Sequence, residues 1–342
     1  MAIWTRQWRV TNILLQFLNP DPLNSKSELE MHLQQPSQKM AFDLWNGVLV
    51  HSVIKLSPCR SMEMAPVSLD LKKELCKKKF VGPNIAQAYC WPAIGRGCDL
   101  VAVSQKGDDP LLYIPPLLTF LQLPSVYSFQ PRRNLPLAII VCPGQQKAHF
   151  VCQMLMDLTR FSRTLYPSLV LVGQDPEETK NIKLIKGCDV VVTTPHSLVR
   201  VLQKHCLFFI RLSHLVLDGV DVLFDEAMDE MTTILQCFRE ATNVPERLST
   251  PQQLIAVGKH WTKQMESLVK ENQSDPYVVI TAMEEAALYG NVQQVVQLCL
   301  DCEKTSLLLT MLDFTSECLQ KTLIFTNCAE EVDHVFKVGS YG

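Results

Sequence analysis

Short runs of consecutive apolar residues recur along the middle of the chain, each bounded by polar or turn-forming residues. Continuous apolarity predicts strands that are buried on both faces of a sheet. Between these runs, apolar residues recur with a period of 3.6, as in Ala148 to Phe161 and Leu198 to Gln203, which predicts amphipathic helices. The alternation predicts an α/β fold, a parallel sheet with helices on both faces. The predicted strands are Leu100 to Val103, Ala138 to Cys142, Leu169 to Val172, Asp189 to Thr193, Leu215 to Leu217 and Leu254 to Val257.

The same pattern divides the 342 residues into three predicted parts. Residues 1–60 contain turn clusters and a polar loop, and predict a weakly ordered flank. Residues 66–280 carry the alternating strands and helices and predict one domain. Residues 281–342 contain a predicted helix from Lys304 to Leu312 and a predicted strand from Leu323 to Thr326, which indicate a linker and the truncated start of a second domain.

The composition of the chain limits the partners that we expect it to bind. With 47% hydrophobic and 20% charged residues, the chain can bury a large core. The net charge is −3, so no overall basic field attracts nucleic acid, and any contact with RNA needs a local patch; no DNA partner is expected. Ile13 to Leu18 is an apolar run too short to span a bilayer, and no cleavage site follows it. We therefore expect neither export nor a membrane partner.

Thirteen cysteines at irregular spacing predict free thiols in a reducing compartment, which favours the cytoplasm. Only Cys299 and Cys302 form a CxxC pair. Since no second pair or histidine cluster has zinc-site spacing, we interpret this pair as part of an amphipathic helix and predict no metal held by cysteine.

Several short motifs follow the predicted strands in a fixed order. Their order and spacing resemble the first RecA-like domain of a DEAD-box RNA helicase over roughly residues 66–335. The resemblance implies a RecA-like fold of the P-loop NTPase type, with ATP and Mg²⁺ as cofactors and ATP hydrolysis as the activity of the family. The motifs are Pro83-Asn84-Ile85-Ala86-Gln87, the loop 104–109, Pro143 to Ala148, Leu171 to Gln174, Ile185 to Leu198 and the turn 218–221.

The glutamine motif implies that Gln87 contacts the edge of adenine with its amide. No aromatic residue lies between Trp45 and Phe80, so the resemblance implies no stacking partner for the base. The alternative for Gln87 alone is an ordinary residue on a helix surface.

Residues 104–109, here called the phosphate loop, stand where the family has its phosphate-binding loop when Gly107 is aligned with it. Ser104, Lys106 and Gly107 are candidate nucleotide-binding residues, with Lys106 two places before the family's lysine position. Asp108 stands at the lysine position and Asp109 at the hydroxyl position. At about 4 Å and an effective dielectric near 20, this exchange turns an attraction of roughly 4 kcal/mol into a repulsion. Asp109 followed by Pro110 also has the pattern of a helix N-cap and first helical residue. We predict weak or absent ATP binding. The alternative is that the flexible side chain of Lys106 reaches inward and supplies the cation for the phosphates.

Residues 218–221, here called the acidic turn, are Asp218-Gly219-Val220-Asp221 where the family has Asp-Glu-Ala-Asp. The resemblance implies that Asp218 holds Mg²⁺ through water. The acid that orients the attacking water is replaced by Gly219, so we predict a catalytically impaired or inactive nucleotide site. The alternative is that Asp218 and Asp221 cap the turn between strand and helix.

The motifs that bind RNA in the family are only partly kept in this chain. The candidate RNA-binding residues are Pro143, Gly173, Thr194 and Pro195, and Ser197 replaces the arginine that contacts phosphate in the family. A plain strand–turn–helix without a ligand is the alternative at Thr194. Residues 257–259 have lost the Ser-Ala-Thr that links hydrolysis to strand opening.

Within the family, the phosphate loop and the acidic turn resemble the helicase-like region of Tudor-domain-containing proteins. That resemblance implies piRNA-mediated transposon silencing during spermatogenesis and meiosis, with Piwi-pathway proteins and RNA as partners in cytoplasmic germ-cell granules. We expect a scaffold with little or no ATPase activity. The alternative is an active ATP-dependent RNA helicase in the full-length protein. An unrelated α/β hydrolase is disfavoured because no Gly-x-Ser-x-Gly sequence is present.

Overall fold

A computed structural model describes residues 39–43, 47–107, 109–123, 135–159, 165, 167–171, 188–204, 208–242, 252–272, 275–290, 299–311, 324, 326 and 328–340. Within this part of the chain, nine strands form one sheet. They are β1 (Lys39–Asp43), β2 (Val48–Ser52), β3 (Leu100–Val103), β4 (Ala138–Val141), β5 (Pro167–Val170), β6 (Val190–Thr193), β7 (His214–Asp218), β8 (Gln253–Gly258) and β9 (Tyr277–Ile280).

The helices lie between the strands in the order that the periodicity predicts. Local signals explain some of their ends: Ser68 caps the first helix, and Asn84 with Gln87 forms a capping box on the second. The described α-helices are α1 (Leu69–Lys77), α2 (Ile85–Gly95), α3 (Ile114–Leu121), α4 (Gln145–Thr159), α5 (Pro195–Lys204), α6 (Val220–Glu226), α7 (Met228–Thr242), α8 (Lys263–Asn272), α9 (Met283–Tyr289), α10 (Lys304–Met311) and α11 (Ala329–Ser340).

The strand order is β1-β2-β9-β3-β8-β7-β4-β6-β5. Strands β3 to β9 pair in parallel, whereas β1 and β2 join antiparallel at the β9 side. Every residue of β3, β4, β6, β7, β8 and β9 is buried, which means that both faces of the sheet are covered. The predicted α/β fold with a parallel, doubly covered sheet is confirmed.

Strands β1 and β2 differ from the prediction of an irregular flank over residues 1–60. Leu49 pairs with Ile280 and Val50 with Val279, and Val48 and Leu49 are fully buried. Three apolar residues form too short a run to predict a strand; pairing with β9, which was also absent from the predicted strands, provides the ordering contacts. The predicted domain boundaries stay a prediction.

Contacts between residues of the chain divide it into two compact units, one of residues 30–286 and one of residues 1–29 with 287–342. In the described part of the second unit, the Thr305 hydroxyl of α10 lies 3.3 Å from Nε2 of His334 on α11. Helix α10 confirms the helix predicted from Lys304, and the predicted strand Leu323 to Thr326 lies largely outside the described residues. None of the described helices is long and apolar enough to cross a bilayer.

Candidate nucleotide site

The motif residues converge at one edge of the sheet. Strand β8 lies between β3 and β7, and β4 lies between β7 and β6. Since these strands are parallel, the loops that follow them open at the same edge, the usual ligand edge of an open α/β sheet. The phosphate loop follows β3, the acidic turn begins at the end of β7, and residues 259 and 260 follow β8. The structure therefore brings the predicted phosphate and metal motifs together.

The phosphate loop is closed by hydrogen bonds within the chain. The Gly107 N–H donates to the Ser104 carbonyl at 2.9 Å, and the Asp109 N–H donates to the Lys106 carbonyl at 3.0 Å. The Ser104 N–H donates to the Gly258 carbonyl at 3.1 Å. In a phosphate-binding loop such N–H groups point at the ligand. Here those of Gly107 and Asp109 are used inside the loop.

Gly107 also packs directly on the end of β8. A Cβ atom at Gly107 would overlap the Gly258 carbonyl oxygen, so no larger residue fits there without a backbone shift. Lys106 is exposed and Ser104 is buried. Asp108, predicted at the lysine position, lies outside the described residues.

Asp109 caps the short helical turn that follows the phosphate loop. Its Oδ1 accepts from the Leu111 N–H at 3.0 Å, and Pro110 is the first residue of the 3₁₀ turn Pro110–Leu112. The N-cap expected from the Asp-Pro pair is thus confirmed. Its Oδ2 accepts from Nε2 of Gln87 at 3.0 Å. One carboxylate therefore occupies the start of the turn and holds the predicted adenine-contacting residue.

Gln87 is only 2% exposed and is engaged by its own chain at both ends of the amide. Its Oε1 accepts from the Asn84 N–H at 2.9 Å, while Nε2 donates to Asp109. The Gln87 N–H donates to Asn84 Oδ1 at 2.8 Å, which completes the capping box of α2. The alternative of an ordinary surface residue is wrong, because this amide is buried and links α2 to the phosphate loop.

Asp218, the last residue of β7, is fully buried. Its Oδ2 accepts from the Tyr113 hydroxyl at 2.8 Å, and its Oδ1 lies 3.6 Å from Nζ of Lys147. Burial, followed by the neighbouring Asp218 charge, holds the pKa of Tyr113 well above its ordinary value, so the phenol is a neutral donor. A hydroxyl and an ammonium thus meet the carboxylate that the family uses near Mg²⁺.

The rest of the acidic turn is tied to β8. Gly219 has a φ of +79°, in the left-handed region, and its N–H donates to the Val257 carbonyl at 2.8 Å. Asp221 Oδ2 accepts from the backbone N–H groups of Lys259 and His260, both at 3.2 Å. The hydroxyls of a Ser-Ala-Thr are absent from residues 257–259, yet backbone donors keep the acidic turn joined to this segment.

The RNA-binding candidates that the structure describes follow two neighbouring strands, β4 and β6. The Cys142 N–H donates to the Thr193 carbonyl at 2.9 Å, which places Pro143 and Thr194 beside each other at the sheet edge. The Thr194 hydroxyl lies 3.0 Å from the Ser197 hydroxyl, and Pro195 begins α5. Gly173 lies outside the described residues. Their proposed contact with RNA stays a prediction.

The groups that the resemblance assigns to ATP at this edge are engaged by the chain itself. The Gln87 amide bonds to Asn84 and Asp109, and the N–H groups of Gly107 and Asp109 donate within the phosphate loop. The Asp109 carboxylate accepts from the Leu111 N–H. Across the described residues, no group of three or more His, Cys, Asp or Glu side chains could hold a metal ion. The edge has the layout of a nucleotide site, and its polar groups form hydrogen bonds to one another.

Two residues of this arrangement, Tyr113 and Lys147, were missed by sequence reasoning. Tyr113 follows the apolar pair Leu111-Leu112, and a buried phenol needs a hydrogen-bond partner. Lys147 stands at the apolar fifth position of the family's Pro-Thr-Arg-Glu-Leu-Ala, on the core-facing side of a helix. A polar group at an apolar position was the available signal in both cases.

The fold and the order of the motifs indicate the class: residues 114–258 match the family model described as DEAD/DEAH box helicase. Over 328 residues, 95% of this chain, it is 51% identical to the human protein named "Putative ATP-dependent RNA helicase TDRD12", and it covers 27% of that protein. It is 23% identical to the rice DEAD-box ATP-dependent RNA helicase 20, over 77% of this chain and 50% of that protein. The chain thus spans half or less of these relatives.

Solved structures agree with this fold. The ADP-bound RNA helicase Prp28 from Chaetomium thermophilum superimposes with a TM-score of 0.58 at 16% identity, over 86% of this chain and 67% of that one. The yeast splicing factor Prp28 gives a TM-score of 0.57 at 16% identity, over 76% of this chain and 58% of that one. At such identities the likeness shows the fold alone.

Proposed function

We propose that the chain is a helicase-like lobe that serves as a scaffold in ribonucleoprotein assembly and turns over little or no ATP. One observation carries this proposal: the Asp109 carboxylate binds the Leu111 N–H and the Gln87 amide at the same time. A nucleotide would have to break both contacts and approach a negative charge. The site is closed by the protein itself.

The proposed setting is piRNA-mediated transposon silencing in the germ-cell cytoplasm, with Piwi-pathway proteins and RNA as partners. The resemblance of the phosphate loop and the acidic turn to Tudor-domain-containing proteins supports this setting. The RNA-helicase names of the relatives support RNA as a partner. The adjacent positions of Pro143 and Thr194 at the sheet edge are compatible with a contact to RNA.

The second candidate is an active ATP-dependent RNA helicase in the full-length protein. The names of the relatives favour it, and the chain covers only 27% of the human relative, so further domains of such a protein could complete a nucleotide cleft. The two candidates differ in one measurable property, the binding and turnover of ATP.

Nucleotide binding and turnover separate the candidates. The test is titration of the chain with a fluorescent ATP analogue and Mg²⁺, and measurement of phosphate release with and without RNA. A triple variant, Asp108→Lys, Asp109→Thr and Gly219→Glu, restores the family residues. The matched control is Asp70→Lys, which makes the same charge change on exposed α1.

We expect no saturation by the unaltered chain or the control below roughly 1 mM, equivalent to about −4 kcal/mol, and no RNA-stimulated phosphate release. The triple variant should bind more tightly. Micromolar binding or turnover by the unaltered chain would establish the helicase alternative. The scaffold role is tested by recovering the chain with Piwi-pathway proteins from germ cells: association should be the same with and without ATP, and loss of association on ATP depletion contradicts it.

A further inference from the structure

We propose that Lys147 and Tyr113 replace the divalent cation of the family at Asp218, so that the acidic turn is complete without a metal ion. This inference rests on the proposed function, in which the nucleotide site is closed by the chain. It concerns a different part of that site from Asp109. Its test measures metal binding and stability and does not depend on nucleotide.

The Lys147 ammonium lies close to the buried carboxylate of Asp218. Asp218 is fully buried, and Nζ of Lys147 lies 3.6 Å from its Oδ1. A Mg²⁺ ion that contacts a carboxylate through one water lies about 4 Å from the oxygen, given a metal–water distance near 2.1 Å and a hydrogen bond near 2.7 Å. The ammonium therefore stands at the distance of a water-bridged cation.

The side chain of Lys147 is less exposed than the residues before it in the first turn of α4. Lys147 is 20% exposed at its side chain, whereas Gln145 and Gln146, which precede it in the first turn of α4, are exposed. The lysine thus extends inward from the helix end towards the acidic turn. A buried carboxylate is costly unless it is paired and hydrogen-bonded. Lys147 supplies the positive charge, and the Tyr113 hydroxyl supplies a hydrogen bond at 2.8 Å.

Lys147 and Tyr113 would also oppose the binding of a divalent cation at Asp218. A divalent cation beside Asp218 would lie close to the Lys147 ammonium and be repelled by it. The Tyr113 hydroxyl also occupies the second carboxylate oxygen, which a bridging water would otherwise contact. The two side chains both stabilise the buried charge and oppose metal binding at the same place.

The experiment compares thermal unfolding of Lys147→Leu, Lys147→Arg and the double variant Lys147→Leu/Asp218→Asn, each with and without 10 mM MgCl₂ at matched ionic strength. The matched control is Lys270→Leu, which removes a lysine from an exposed pair with Glu266. We expect Lys147→Leu to lower Tm by about 5–10 °C and Lys270→Leu by about 1 °C or less. Lys147→Arg should keep most of the stability.

The double variant removes the buried charge along with its partner, so it should recover at least half of the loss. MgCl₂ should leave Tm of the unaltered chain unchanged and raise that of Lys147→Leu by about 3 °C. If Lys147→Leu does not fold, rescue by Asp218→Asn supports the inference and failure of rescue overturns it. A loss equal to that of Lys270→Leu, or Mg²⁺ stabilisation of the unaltered chain, also overturns it.

These outcomes are distinct from those of the nucleotide experiment. Mg²⁺ binding by an unaltered chain that still binds no ATP would end the lysine inference and leave the scaffold proposal standing. Turnover of ATP would end the scaffold proposal, while the comparison of Lys147→Leu with its double variant would still report whether the ammonium neutralises Asp218.

Discussion

The phosphate loop and the acidic turn differ in the sign of the charge they would meet, and we propose that each replaces a ligand with a side chain of the ligand's own sign. At the phosphate loop the Asp109 carboxylate accepts hydrogen bonds where an anionic phosphate would. At the acidic turn the Lys147 ammonium faces Asp218, where the family holds a cation. On this proposal, a nucleotide site loses its ligands and retains its local electrostatics.

The two replacements differ in burial. Asp109 is only partly buried and acts through hydrogen bonds, whereas Asp218 is fully buried and depends on its partners. The cost of removing a partner rises with burial because water cannot replace it. Substitutions at the acidic turn should therefore have larger effects than substitutions at the phosphate loop.

Outside the Lys147–Asp218 pair, the largest effect is expected at His214, the first residue of β7, at the opposite end of that strand from Asp218. Acid also protonates carboxylates, so the contribution of His214 must be separated from theirs. Burial lowers the pKa of His214 to about 4, from 6.5. The folded state thus favours the neutral ring. The contribution of the neutral His214 ring to the free energy of unfolding is fully present above pH 6.5. It falls by about 3 kcal/mol as the pH falls towards 4.

Urea unfolding at pH 7 and pH 4.5 measures this loss. The variant His214→Gln should show a smaller decrease in unfolding free energy than the unaltered chain, while His149→Gln, at an exposed position on α4, should behave like the unaltered chain. An equal decrease in all three proteins would mean that His214 does not cause the acid sensitivity.

The second prediction concerns the hydroxyl at the acidic turn. Tyr113→Phe removes the donor at 2.8 Å from Asp218 and leaves that oxygen of a buried carboxylate without it, so the free energy of unfolding should fall by about 2 kcal/mol. Tyr277→Phe is the control, at the other end of the sheet beside Leu100. It should cost less than about 1 kcal/mol. Equal losses would mean that Tyr113 acts through packing alone.

What sequence could predict follows the range of each interaction. Strands β3, β4 and β7 are continuous apolar runs, and the Asp109 cap is a contact between near neighbours, so local patterns predicted them. The Gln87–Asp109 bond joins residues 22 apart, and the Tyr113–Asp218 bond joins residues 105 apart. Such contacts depend on strand order, which a single sequence does not provide. The pairing of β2 with β9 was missed for the same reason.

The third prediction addresses the phosphate loop. Asp109→Ala removes an N-cap and the partner of the Gln87 amide, so the free energy of unfolding should fall by about 1.5 kcal/mol. Asp109→Asn keeps an oxygen for the Leu111 N–H and should lose less. The control Asp70→Ala removes an exposed aspartate of α1 and should cost at most about 0.5 kcal/mol. A loss above that of Tyr113→Phe would reverse the ranking of the two regions.

The smallest effect is expected at Gly219, where restoring the family's acid meets a backbone constraint. Its φ of +79° is unfavourable for any residue with a Cβ atom, although the nearest atom to such a Cβ is Pro143 Cγ, at an ordinary contact distance of 3.5 Å. Gly219→Glu should therefore cost about 1 kcal/mol through backbone strain and not through a clash.

Gly144→Ala is the matched control, because Gly144 has no positive φ and no neighbour within 4 Å of an added Cβ. That change should be neutral or slightly stabilising, since it reduces the freedom of the unfolded chain. If Gly219→Ala also matches Gly144→Ala, the left-handed conformation carries no cost. The loss of the acid would then be a change of side chain only, and the acidic turn could regain its glutamate without a penalty in backbone geometry.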